Sequence, residues 1–153
     1  MFKKTTSYNQ NAILVALEMQ SRSVCSRRRV GAVIVKDGNI VVQAMNGPLP
    51  SIDLKKWPYC LRNEQKIPSA QRHEICRGLH AEEYAIAEAA RQGIQTLGAE
   101  IYVTTKPCSV CIRMIIQAGI SRVFYLDNFS DSFTDQIVET AKIELVQVIT
   151  EAQ

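Results

Sequence analysis

Two short motifs, His80-Ala81-Glu82-Glu83 and Pro107-Cys108-Ser109-Val110-Cys111, each open a predicted helix, and their chemistry requires that the two helix starts meet. Cys108 and Cys111 stand three apart in the first turn, so both sulfurs can face one point, and the positive end of a helix favours thiolates there. An imidazole delivered by His80 completes a His/Cys/Cys ligand set whose fourth position is left to water. That is the donor pattern of an open zinc centre that activates water, and the fold is expected to be built around it.

Bulk properties narrow the remaining choices. A chain of 153 residues, 46% of them hydrophobic, suits one domain with a core of its own. The formal net charge is only +3 and the clearest basic run is Arg27-Arg28-Arg29, so nucleic acid is not the expected partner and a small anionic ligand is as good a reading. No segment has the length and apolarity of a membrane span, and no apolar run follows Lys3 and Lys4, so the expected location is the cytoplasm. Five cysteines is an odd number for a disulfide framework and points to metal ligands or reactive thiols.

Hydrophobic periodicity predicts a helix over Ser7–Ser21 capped by a Ser or Thr, then a hairpin of Val30–Lys36 and Ile40–Met45 about the turn Asp37-Gly38-Asn39. The first hairpin strand is nearly all apolar, as a strand covered on both faces should be. Residues 46–78 lose all periodicity and carry four scattered prolines, which marks a long functional insert. Helix Ala81–Gln92, strand Glu100–Thr105, helix Cys108–Ala118 and strand Arg122–Leu126 follow. A helix over Ser130–Ala141 and a last strand over Ile143–Ile149 complete the pattern. Such alternation predicts a mixed sheet with helices on both faces.

A helical wheel places Glu83, not Glu82, on the side of His80. The combination of H-x-E with P-C-x-x-C is nevertheless the signature of zinc-dependent nucleobase deaminases, in which that first glutamate shuttles protons without binding metal. Glu82 is therefore the expected catalytic residue, and Glu83 a solvated surface carboxylate.

His80 to Ile86, Tyr102 to Cys111 and Met114 to Ile120 resemble the cytidine and deoxycytidylate deaminase superfamily, and its dCMP deaminase branch above all. Val30 to Val35, Asn46-Gly47 and the cysteine-bearing insert resemble that branch too. The resemblance implies a three-layer α/β/α fold with a central mixed, mostly five-stranded sheet. It also implies hydrolytic deamination of dCMP to dUMP, with zinc-activated water attacking C4 and Glu82 carrying protons. By the same likeness Asn46 and Thr105 would contact the nucleotide; Arg27, Arg28, Arg29 and Arg113 are the candidates for its phosphate, and the resemblance favours Arg27. A homo-oligomer is expected. The chain departs from the family pattern at Met45, at Pro48-Leu49-Pro50 and at Tyr84, where an asparagine is usual.

Setting aside His80, Cys108 and Cys111 leaves Cys25, Cys60, His73 and Cys76 as the only other histidine and cysteines. They form a Cys3His complement, the ligand set of a closed structural zinc, expected to hold the insert. Two other readings stay open: a zinc deaminase acting on another nucleoside, nucleotide or tRNA base, and a non-catalytic zinc or redox module around Cys108 and Cys111.

Overall fold

A computed structural model describes residues 8–52 and 60–149. Five strands form one sheet: β1 (Gly31–Lys36), β2 (Asn39–Met45), β5 (Glu100–Thr105), β6 (Arg122–Asp127) and β7 (Glu144–Gln147), in the order β2-β1-β5-β6-β7. The first two pairings of that order are antiparallel and the last two parallel, which makes the sheet mixed. The all-apolar strand β1 lies between two neighbours and is buried from Gly31 to Val35, the position its composition predicts.

Alternation along the strands divides the core into two layers. Ala32, Ile34, Ile101, Val103 and Val123 face helices α3 (Ala81–Arg91) and α4 (Ser109–Gln117), which bring Ala81, Ala85, Ala89, Ile112 and Ile115. Partly buried Ile137 and Val138 of α5 (Ser132–Ala141) pack onto the same layer. On the other face Val33, Val35, Tyr102 and Phe124 meet Ala12, Ile13 and Ala16 of α1 (Gln10–Arg22). The three-layer α/β/α fold is thus as expected.

Element boundaries differ from the sequence expectation where caps decide them. Helix α1 is capped by Asn9, whose side chain accepts the Ala12 N–H, and not by a Ser or Thr. Ser7, the expected start of that helix, lies outside the described residues. Asp131 caps α5, so that helix begins two residues later than periodicity alone suggests.

The insert is not featureless. Two-residue strands β3 (Gly47–Pro48) and β4 (Gly78–Leu79) pair with each other and close its two ends. Between them lie a single turn of helix, α2 (Leu61–Glu64), and a 3-10 turn at His73–Ile75. Gly78 is required at its place, because a Cβ there would lie 2.2 Å from the Gly47 carbonyl oxygen. Among the described residues no helix is long and apolar enough to cross a membrane.

Candidate active site

Strand β5 ends at Thr105, and Lys106 and Pro107 turn the chain directly into α4, whose N-cap is Cys108. Asp131 fixes that turn: one carboxylate oxygen accepts the Ser109 N–H at 2.9 Å while the other accepts the Phe133 N–H at 3.0 Å. Burial disfavours the Asp131 charge, but these N–H donors outweigh it and hold the carboxyl below its usual range. Thr134 donates to the Pro107 carbonyl at 3.2 Å, and buried Lys106 pairs with Asp135 at 2.6 Å. One residue of cap thus ties the starts of α4 and α5 together. The Asp ahead of an apolar-periodic stretch was the available signal for this role, which sequence reasoning passed over.

His80 caps α3 with extended backbone, and its N–H donates to the Glu83 carboxylate at 2.8 Å. Glu83 is therefore a local helix-capping group and not a free surface carboxylate. The first turn consequently sends Glu82 the other way, where it is 5% exposed and borders the cavity described below. The helical wheel rightly puts Glu83 beside the His80 backbone, but it cannot give the direction of the His80 imidazole, because the cap residue itself is not helical.

The two helix starts meet. His80 Nδ1 lies 3.5 Å from Cys108 Sγ and 3.3 Å from Cys111 Sγ. All three ligand atoms fall within 4.8 Å of one another, and among the described residues no other group of three histidine, cysteine or acidic side chains does so. The donor set fits zinc in kind and in size: bonds of about 2.3 Å to sulfur and about 2.0 Å to nitrogen at a tetrahedral angle separate S and N by about 3.5 Å.

The cluster is charged as a linked set. Burial and the Cys111 thiol compete at Cys108, whose hydrogen bonds from Cys111 and His80 win and hold its thiol far down, at about 3. Cys111, donating to that thiolate and almost wholly desolvated, is pushed up. Burial works against a charged His80, but its hydrogen bond to Cys108 and the nearby carboxylates raise it to about 8. Desolvation raises Glu82 to about 7, in spite of the nearby His80 charge.

These shifts predict a pH-dependent metal affinity. At neutral pH a metal must displace one proton from His80 and one from Cys111, while Cys108 is already a thiolate. Two displaced protons mean that zinc affinity should fall about a hundredfold between pH 7 and pH 6. Chelator competition at the two pH values measures this, and an affinity independent of pH would contradict the charge assignment.

A cavity of about 830 Å3 opens over the cluster, within the size range of small-molecule sites. Thr105 and Asn46 line it, as expected. Asn46 has much of its side chain committed elsewhere: Oδ1 accepts from Ser23 Oγ at 2.7 Å and the Val30 N–H at 2.9 Å, and Nδ2 donates to the Arg28 carbonyl at 2.7 Å. Only one Nδ2 hydrogen remains for a ligand. Arg27 is likewise engaged, donating to Asn63 Oδ1 at 2.8 Å and the Ile67 carbonyl at 2.9 Å, so that it fastens the insert.

Cys25, Cys60, His73 and Cys76 all border the same cavity, but no three of them are drawn to one point. His73 sits on the far nitrogen of His80 instead, with Nδ1 to Nε2 at 3.1 Å and the rings edge to face. Tyr84, the departure from the family pattern, faces a separate groove beside β2 with Glu88 and Arg91 and does not border the main cavity.

The model of the cytidine and deoxycytidylate deaminase zinc-binding region matches residues 6–127, a span that holds every one of these elements up to the end of β6. The chain belongs to the cytidine and deoxycytidylate deaminase family. It is 33% identical over 143 residues to ComE operon protein 2 of Bacillus subtilis, covering 93% of this chain and 71% of that protein. It is 33% identical over 129 residues to the deoxycytidylate deaminase of Schizosaccharomyces pombe, covering 84% of this chain but only 40% of that enzyme. Among solved structures, the dCMP deaminase of cyanophage S-TIM5 superimposes with a TM-score of 0.73 at 25% identity, over 91% of this chain and 95% of that one.

Proposed function

We propose that the chain deaminates dCMP hydrolytically to dUMP and ammonia. The observation that carries this reading is the convergence of His80, Cys108 and Cys111, with His80, Cys108 and the buried Glu82 bordering one cavity. The three would hold a zinc ion, which supplies the Lewis acidity that makes water nucleophilic near neutral pH. Glu82, buried at the cavity wall, takes the proton of the attacking water, gives it to ring N3 and then assists the amine as it leaves. The C4–O bond forms and the C4–N bond breaks, so one water is consumed and one ammonia released. A raised carboxyl suits both halves of this shuttle, since it can hold and release a proton near pH 7.

The proposal extends to cytoplasmic residence, which five free cysteines suit, and to a homo-oligomeric state. The domain is read as one unit over residues 1–153 with its insert held by a second zinc on Cys25, Cys60, His73 and Cys76. Their common position around one cavity supports that zinc, and it requires His73 to leave His80. Metal analysis of protein purified without added zinc is expected to give about two zinc per chain, and a value of about one would remove the second site. Ammonia release from dCMP, deoxycytidine, cytosine and adenosine-containing RNA tests the activity itself. The expected order puts dCMP first, and an enzyme inactive on dCMP but active on another of the four would replace the substrate.

A further inference from the structure

The cations around the cavity are not alike. Arg27 is held by Asn63 and Ile67, Lys106 by Asp135, and Arg28 lies over the Phe129 ring at 5.3 Å. Arg77 makes interactions of its own. Arg62, on α2 within the insert, lines the same cavity and is 7% exposed, yet its Nε is buried without a hydrogen-bond partner. None of the ion pairs among the described residues includes it.

A guanidinium does not lose its proton at any physiological pH, so burial cannot be relieved by neutralisation as it could for lysine. A desolvated cation with an open donor is unfavourable until an anion reaches it. Arg62 and Glu82 both line the cavity, so a ligand whose ring lies at Glu82 and which also carries an anion can offer that anion to Arg62. Guanidinium and phosphate match as a planar fork and a set of strong acceptors.

We propose that Arg62 anchors the 5′-phosphate of the nucleotide substrate and so sets the preference for nucleotide over nucleoside. This rests on the deaminase reading given above. Arg62 is preferred to Arg27, two of whose donors are held by Asn63 and Ile67 of the insert.

The test uses the product dUMP as a non-reacting probe, titrated calorimetrically into zinc-loaded wild type, Arg62→Met and Arg62→Lys. Methionine fills similar space without charge, so the ligand-free variant should melt no lower than wild type while dUMP affinity falls at least about thirtyfold. Lysine keeps the charge but not the fork, and should weaken dUMP by about fivefold or more. Inorganic phosphate should compete with dUMP on the wild type. Affinity for dUMP within about threefold of wild type in Arg62→Met overturns the proposal. Should that variant not fold, unchanged affinity in Arg62→Lys overturns it instead. Ammonia release from dCMP by the wild type is read in parallel: turnover with an unaffected methionine variant sinks Arg62 alone, whereas a wild type inactive on dCMP sinks the reading beneath it.

Discussion

Glu82→Ala is expected to lower kcat for dCMP by about a thousandfold or more, the range lost when a positioned proton carrier is removed, while the protein keeps its zinc and its fold. The separation of these effects follows from the site. Glu82 is not among the three groups whose ligand atoms converge, so its loss leaves the donor set intact. It is nevertheless 5% exposed and held up to about 7 by desolvation, so an apolar replacement removes a charge the interior disfavours. Ammonia release and metal content measured on the same preparation decide the matter. Turnover within about tenfold of wild type would end the proposed proton route. A redox module built on Cys108 and Cys111 predicts instead that neither wild type nor variant releases ammonia from dCMP, since its thiols would cycle without Glu82.

The largest loss of stability is expected from Gly31→Ala. Gly31 opens β1 where the backbone of α1 passes directly over it: an added Cβ would lie 1.9 Å from the Ala16 carbonyl oxygen and 2.6 Å from the Gln20 nitrogen. Neither atom belongs to a side chain that could rotate away. Helix α1 would have to lift off the sheet, loosening Ala12, Ile13 and Ala16 from Val33, Tyr102 and Phe124. Overpacking against backbone should remove about 3 kcal/mol, equivalent to a fall in Tm of about 10 °C for a chain of this length. Thermal unfolding checks it, and a shift of less than about 2 °C would mean that the helix is free to move.

How far residues announce their roles depends on the range over which those roles are set. The strands and α3 to α5 were legible because alternation and helical spacing record which side faces a core. The His80, Cys108 and Cys111 cluster was legible for a related reason: each ligand stands at a helix start, where local spacing fixes its direction. Glu83 was misjudged because assigning catalysis to Glu82 left it no expected role, whereas the side of His80 on which the wheel placed it offers a backbone N–H to cap. Asn46 and Arg27 have acceptors and donors up to forty residues away, in segments without any period, and nothing in their own neighbourhood shows that they brace the insert. Arg62 is the same case reversed. Its missing partner is visible only once the cavity around it exists.

The pairing of Gly47 with Leu79 and of Pro48 with Gly78 joins both ends of the insert just before His80. Chain between such a clasp behaves as a closed loop, for which doubling the length adds only about 0.6 kcal/mol of closure entropy. Apart from the turn that sets His73 against His80, residues 49–77 can therefore change in length with little cost to the helix start that carries His80 and Glu82. Recognition and chemistry are thereby decoupled: the clasp isolates the part of the chain that can drift toward new ligands from the part that cannot drift at all.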